Sequence, residues 1–143
     1  AYYMIRDFPF TGIGMGSFTQ VADALYPFTI ADPGMIYHAH NLFLQIGADL
    51  GIVGLLAWIT IFVIHLFQAW KCRLNAIKLN QPLMAAAGFA LAGSLLVMAI
   101  HGMTDAGVWG MVRPAPLVWA IFGIGSSLYL HTQSKYSSVS QPN

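Results

Sequence analysis

The chain has 143 residues, 57% of them apolar and only 8% charged, with a formal net charge of +1 and a mean hydropathy of +0.66. Ordinary soluble domains carry about 25% charged residues, so this composition excludes one. The small net charge, without a basic patch laced with aromatics, excludes a nucleic-acid binder.

Residues 1–39 differ in kind from the rest. They hold Arg6, Asp7, Asp23 and Asp32, three prolines, and the glycine-rich run Thr11-Gly12-Ile13-Gly14-Met15-Gly16-Ser17-Phe18. No strand pattern precedes those glycines, so a dinucleotide-binding loop lacks its context. A folded loop segment on the membrane surface is expected instead, with glycine supplying unusual backbone angles and close approach.

Beyond it the charges leave uncharged intervals at 50–70, 79–104 and 114–134. Each is long enough for the roughly 20 residues that a helix needs to cross a bilayer. The expected spans are 40–70, 82–103 and 114–131. The first exceeds a bilayer's thickness, so its opening turns, with His40, Gln45 and Asp49, are expected in or near the interface. Gly47, Gly51 and Gly54 share one helix face there and would let a neighbouring helix approach closely. Lys71, Arg73 and Lys78 read as a short loop, 71–81, closed by Pro82, which suits the first turn of a helix. Small residues from Ala85 to Ser94 make a packing face on the second span. Thr104–Arg113 is a polar interruption, and 132–143, rich in Ser and Gln, reads as a disordered tail.

The expected fold class is therefore all-α. It is a polytopic membrane protein fragment with about three transmembrane helices (40–131) preceded by a loop segment (1–39). The start Ala-Tyr-Tyr shows no basic n-region, so no signal peptide is expected, and the whole reads as the C-terminal piece of a larger polytopic chain. The positive-inside rule puts 71–81, with three basic residues and no acid, and the C-terminus in the cytoplasm. Residues 1–40 and 104–113 then share the outer face. Lone Cys72, beside Lys71 and Arg73, suits a reducing compartment.

That face gathers the groups with chemistry: Arg6, His38, His40, Asn41, Asp49, His101, Asp105, Trp109 and Arg113. His38 and His40 share a side if the segment is extended. Asn41, Gln45 and Asp49 form an i, i+4 stripe, and His101 and Asp105 are likewise one turn apart. Ionisable groups at this depth are costly and hence functional candidates. His38-x-His40 is half of a metal site, but nothing in the spacing demands Asp49 or Asp105 as a further ligand; no metal and no cofactor are expected. His65 reads as structural, Asp105 as either a turn residue or a site residue, and the Tyr and Trp residues as interfacial belts.

The blocks His40-Asn41, Leu44-Gln45 and Ala48-Asp49-Leu50-Gly51-Ile52-Val53-Gly54-Leu55 resemble the signature of the O-antigen ligase/polymerase superfamily. Met4–Pro9 with Gly12–Phe18 is similar to the outer-loop block that precedes it. His101–Asp105 and Trp109–Ala115 are similar to the turn before the last span in some bacterial branches. The resemblance implies an inner-membrane glycosyltransferase that moves a glycan, with inversion, from a polyprenyl-diphosphate carrier to a lipid, glycan or protein acceptor, with the help of upstream helices. It implies His40 as the group that positions or deprotonates the acceptor hydroxyl, His38 as its understudy, and Asp49 where relatives more often carry Glu. Arginines suit the diphosphate leaving group. Arg113 is the first choice and Arg6 the second, with Asn41, Gln45 and Asp105 as further substrate-binding candidates.

Two other classes compete. A transporter segment, similar to relatives labelled as bicarbonate transporters, would also have a polar outer vestibule. Transporters show matched helix breaks at mid-membrane, and no such pair is visible here. A plain membrane anchor would not need the polar cluster.

Overall fold

The chain folds, in a computed structural model that describes residues 1–27, 37–110 and 115–140, into helices with no strand among the described residues. These are α1 (Tyr2–Asp7), α2 (Phe18–Leu25), α3 (Leu42–Lys78), α4 (Pro82–His101) and α5 (Ala115–Ser140). Among the described residues two helices, α3 and α4, are long and apolar enough to cross a membrane, where the sequence reading expected three spans. In α5 the glycines and serines of 123–127 and the polar run from His131 dilute the apolar character. The described residues are thus all helix and connecting turns, with α3 and α4 as two candidate membrane spans.

Two compact units make up the chain. The first comprises Ala1–Ile59 with Ala99–Ala115, and the second Thr60–Met98 with Pro116–Asn143.

The first unit is organised around a break in α3. Gly51 has φ 71° and ψ −175°, a region open essentially only to glycine, so α3 is two helices, 42–50 and 52–78, joined at that residue. Such a break strips carbonyls and amides of their helical partners, and buried backbone groups must find others. The glycine-rich segment replaces them. Ile13 N–H donates to Ala48 O at 2.8 Å, Gly14 N–H to Asp49 O at 3.0 Å, and Ile52 N–H to Pro9 O at 2.7 Å. The fit leaves no room for side chains. A Cβ on Gly51 would lie 2.7 Å from Pro9 O, and one on Gly12 (φ 63°) would overlap the Asp49 carbonyl. The expected helix-packing face of Gly47, Gly51 and Gly54 is thus corrected. Gly51 is the break itself, Gly54 makes room for the displaced Leu50 side chain, and Gly47 sits against Ile5. Met4, Phe18, Ala22 and Ala48 form a small core that fastens α1 and α2 to the first half of α3.

In the second unit three helical segments pack together. On α3, Ala69, Cys72, Asn75 and Ala76 are buried. Asn75 Nδ2 donates to Gln133 Oε1 at 2.8 Å, Ser126 Oγ to Gln68 Oε1 at 2.9 Å, and Lys78 Nζ to Tyr136 Oη at 3.2 Å. A Cβ on Gly88 would lie 2.7 Å from Arg73 N, so α4 meets α3 backbone to backbone there. These contacts explain two boundary differences. Lys71, Arg73 and Lys78 stand on α3 rather than in a loop, because the residues between them are buried against α4 and α5. Likewise α5 runs to Ser140, past its expected end at 131, since Gln133 and Tyr136 are tied to α3 and Thr132 is fully buried. The α3 helix ends at Lys78, and beyond it Asn80, with a φ of 54°, and the Gln81 N–H to Ala76 O bond of 2.9 Å make a left-handed cap.

Candidate active site

In the first unit, the segment from Tyr37 to Asn41 enters the amino end of α3 and is fastened by that helix's own side chains. Asn41 caps it: its Oδ1 accepts from Leu44 N–H at 3.0 Å, while its Nδ2 donates to Met103 O at 2.9 Å. Leu42 N–H donates to Gly102 O at 2.6 Å. These bonds bring the turn after α4 to the mouth of α3. His40 has a left-handed φ of 48°, which turns the chain into the helix.

Behind this mouth lies a buried polar chain. Ala39 N–H donates to Gln45 Oε1 at 2.8 Å, and Gln45 Nε2 donates to Asp49 Oδ1 at 2.9 Å. Trp109 Nε1 donates to Asp49 Oδ2 at 2.9 Å. Asp49 is only 2% exposed and Gln45 5%. The amide between His38 and His40 is therefore positioned by Gln45, which is oriented by Asp49, which is held by Trp109. Burial without such partners would cost each polar group dearly. Both carboxylate oxygens of Asp49 are engaged, so its geometry is that of an anchor behind the two histidines.

The His38 and His40 rings lie 4.1 Å apart, centroid to centroid, at 56°. His40 N–H donates to His38 Nδ1 at 3.1 Å, which leaves the proton of the neutral His38 ring on Nε2. His38 Nε2 is 3.9 Å from Asp105 Oδ1, and His101 Nε2 is 3.7 Å from Asp105 Oδ2. Both are beyond direct hydrogen-bond range. Asp105 Oδ1 also accepts from Ala106 N–H at 2.7 Å, as a turn residue does. Donor atoms of His38, His40 and Asp105 lie within 4.8 Å of one another, a grouping that could hold a cation. In the hydrogen-bonded arrangement, however, His38 has a lone pair committed to the His40 amide and a proton on its other nitrogen, so it offers no ligand atom. His40 remains exposed, with its ring free of hydrogen bonds to described residues.

Two cavities of about 320 Å³ each adjoin His38 and Phe18. One is walled by Gln45, Asp49, Ala106 and Trp109. The other is walled by Tyr2, Tyr3, Tyr26 and His40. His38 stands between them and His40 opens on the aromatic one.

Of the residues expected at the site, the structure brings together His38, His40, Asn41, Gln45, Asp49 and Asp105. Arg6 is paired with Asp7 at 2.9 Å, with its guanidinium 5.1 Å over the ring of Tyr3, a wall of the His40 cavity. Tyr26 Oη donates to Asp7 Oδ2 at 2.7 Å. The Arg6 and Tyr26 hydrogen bonds hold the Asp7 carboxyl below its usual range, and the same bond to Asp7 raises the Tyr26 phenol. Arg113 lies outside the described residues. Trp109, which the sequence placed among the polar groups but gave no chemistry of its own, proves to be the partner of Asp49.

Residues 1–59 match the family model described as O-antigen ligase. In this segment the chain is similar to the O-antigen ligases. The match takes in the break in α3, the glycine-rich segment that completes it, and His38, His40, Asn41, Gln45 and Asp49. No curated protein matches the chain.

Proposed function

We propose that this chain is the C-terminal part of an O-antigen-ligase-like glycosyltransferase. It moves a glycan from a polyprenyl-diphosphate carrier to a hydroxyl on a lipid, glycan or protein acceptor, at the periplasmic face of the bacterial inner membrane. The observation that carries this reading is the exposed His40 ring, inside the matched segment, opening on a cavity beside a fastened His38.

In the proposed reaction the acceptor oxygen attacks the anomeric carbon and displaces the diphosphate, which inverts that centre. His40 takes the hydroxyl proton as the new C–O bond forms and the carrier's C–O bond breaks. An imidazole suits this because its ordinary pKa lies near physiological pH. His38 positions the acceptor through Nε2–H. Asp49, with Gln45 and Trp109, holds the backbone that carries both rings. Asp105 and Asn41 border the substrate, and Arg113 with Arg6 receive the diphosphate charge. No metal or other cofactor takes part in the proposed transfer. On this reading α5 is a third span, and 71–81 and the C-terminus face the cytoplasm, with upstream helices completing the enzyme.

The test uses membranes holding the full-length protein, a polyprenyl-diphosphate-linked glycan and a candidate acceptor. His40→Ala is expected to abolish transfer at unchanged membrane levels, by a factor of about 100 or more for loss of a general base. Normal transfer by that variant overturns the role of His40.

A further inference from the structure

The second unit carries a separate feature, which begins with its charges. All five acidic residues of the chain (Asp7, Asp23, Asp32, Asp49 and Asp105) fall outside it, whereas four of the six Lys and Arg residues fall inside. Arg73 thus has no Asp or Glu in its own unit to pair with. Its guanidinium lies 4.8 Å from the Phe89 ring and 5.9 Å from the Trp70 ring. Stacking of this kind fixes the plane of the group and leaves its N–H edge available to an oxyanion.

Those aromatic rings belong to a groove. On α3, Val63, Leu66, Phe67, Trp70, Arg73 and Ile77 recur at helical spacing on one face. Facing them on α4 are Leu96, Gly93, Phe89 and Ala85. A cavity of about 530 Å³ follows the apolar part, between Val63 and Leu96 at one end and Trp70 and Phe89 at the other. A second, of about 520 Å³, continues from Phe89 past Arg73 to Asn80, Gln81 and Pro82. From Val63 to Ile77 the helix rises about 21 Å. One bilayer leaflet has about 15 Å of hydrocarbon, so the groove matches one acyl chain with room for a headgroup at the turn. Gly93 keeps it open, since a Cβ there would meet nothing within 4 Å. At the turn end, Gln81 Oε1 is buried with no hydrogen-bond partner among the described residues. A buried acceptor of this kind calls for a donor.

We propose that this groove binds one anionic phospholipid of the surrounding membrane, of the phosphatidylglycerol type. The phosphate sits on Arg73, the headgroup hydroxyls meet Gln81, and an acyl chain lies between Trp70 and Leu96. The lipid supplies the three things the groove lacks: negative charge, a hydrogen-bond donor and apolar fill. The site is independent of the proposed transfer chemistry, which uses residues of the first unit.

Native mass spectrometry of the full-length protein, purified in detergent and offered phosphatidylglycerol or phosphatidylcholine of the same chains, tests this. Wild type is expected to retain phosphatidylglycerol preferentially. Arg73→Gln is expected to lose that preference by about fivefold, the usual effect of one cation near an anionic lipid surface, while Lys78→Gln, at a side chain bonded to Tyr136 Oη, keeps it. Gly93→Phe fills the groove without a backbone clash and is expected to lose retention with thermal stability preserved. Equal retention of both lipids, or a preference unchanged in Arg73→Gln and Gly93→Phe, overturns the proposal. So does a groove that retains no lipid because other helices of the full-length protein cover it.

Discussion

Trp109 Nε1 donates to Asp49 Oδ2 at 2.9 Å, across 60 positions of sequence. This bond joins the turn after α4 to the first half of α3 and completes the chain through Gln45 to the backbone between His38 and His40.

Trp109→Phe keeps the ring and removes the donor. It leaves a buried Asp49 oxygen unpaired, which is expected to destabilise the first unit by about 1–3 kcal/mol. If Asp49 acts by positioning, glycan transfer falls without a change in its pH profile, and Asp49→Glu recovers more activity than Asp49→Ala. Side-by-side pH–rate profiles of the three variants check this. A shifted profile in Trp109→Phe would instead place Asp49 in the proton transfer itself.

Gly51 and Gly12 are expected to be intolerant of any side chain. Gly51→Ala meets both a backbone region that excludes Cβ, at about 1–3 kcal/mol, and the Pro9 carbonyl. Gly16 has a positive φ of 81° but open space around it, so Gly16→Ala isolates the conformational part, about 1 kcal/mol. Membrane abundance and thermal melting of the three variants are expected to rank Gly16→Ala well above Gly12→Ala and Gly51→Ala. Equal melting temperatures would contradict the broken-helix geometry.

Tyr26 and Asp7 form a link between α1 and α2 that can be followed by titration. The neutral phenol donates to the carboxylate, and ionising it would set two negative groups together, so the phenol titrates above its ordinary value of about 10. Asp7→Asn is expected to bring it down, as read from the Tyr26 ring signal by NMR. The sign for Asp7 is opposite. Its folded-state value is lowered, so the link is present at neutral pH and is lost only as pH falls through that lowered range. The pair is exposed, and its effect on stability is correspondingly small.

Much of this protein is written in its local composition. Long uncharged apolar stretches mark α3 and α4, because hydrocarbon tolerates little else. Pro82 marks the start of α4, and the histidines with Asn41, Gln45 and Asp49 are legible as a polar stripe at the mouth of an apolar helix. The Gln45–Asp49 bond follows from helical spacing alone.

What only the tertiary structure decided involves partners far apart in sequence. Gly51 looks like a packing glycine until the segment from Pro9 to Gly14 is seen supplying the hydrogen bonds its break removes. Lys71, Arg73 and Lys78 look like a loop until Cys72, Asn75 and Ala76 are buried between them, and the 132–140 stretch looks like a tail until Gln133 and Tyr136 meet α3. Trp109 is legible as a member of the polar cluster, but nothing local to it names Asp49 as its partner. Sequence determines which segments leave water, since that depends on each residue's own transfer free energy. Which backbone and side-chain groups satisfy one another inside is settled only when distant segments meet, because a buried hydrogen bond is a property of two positions and not of one.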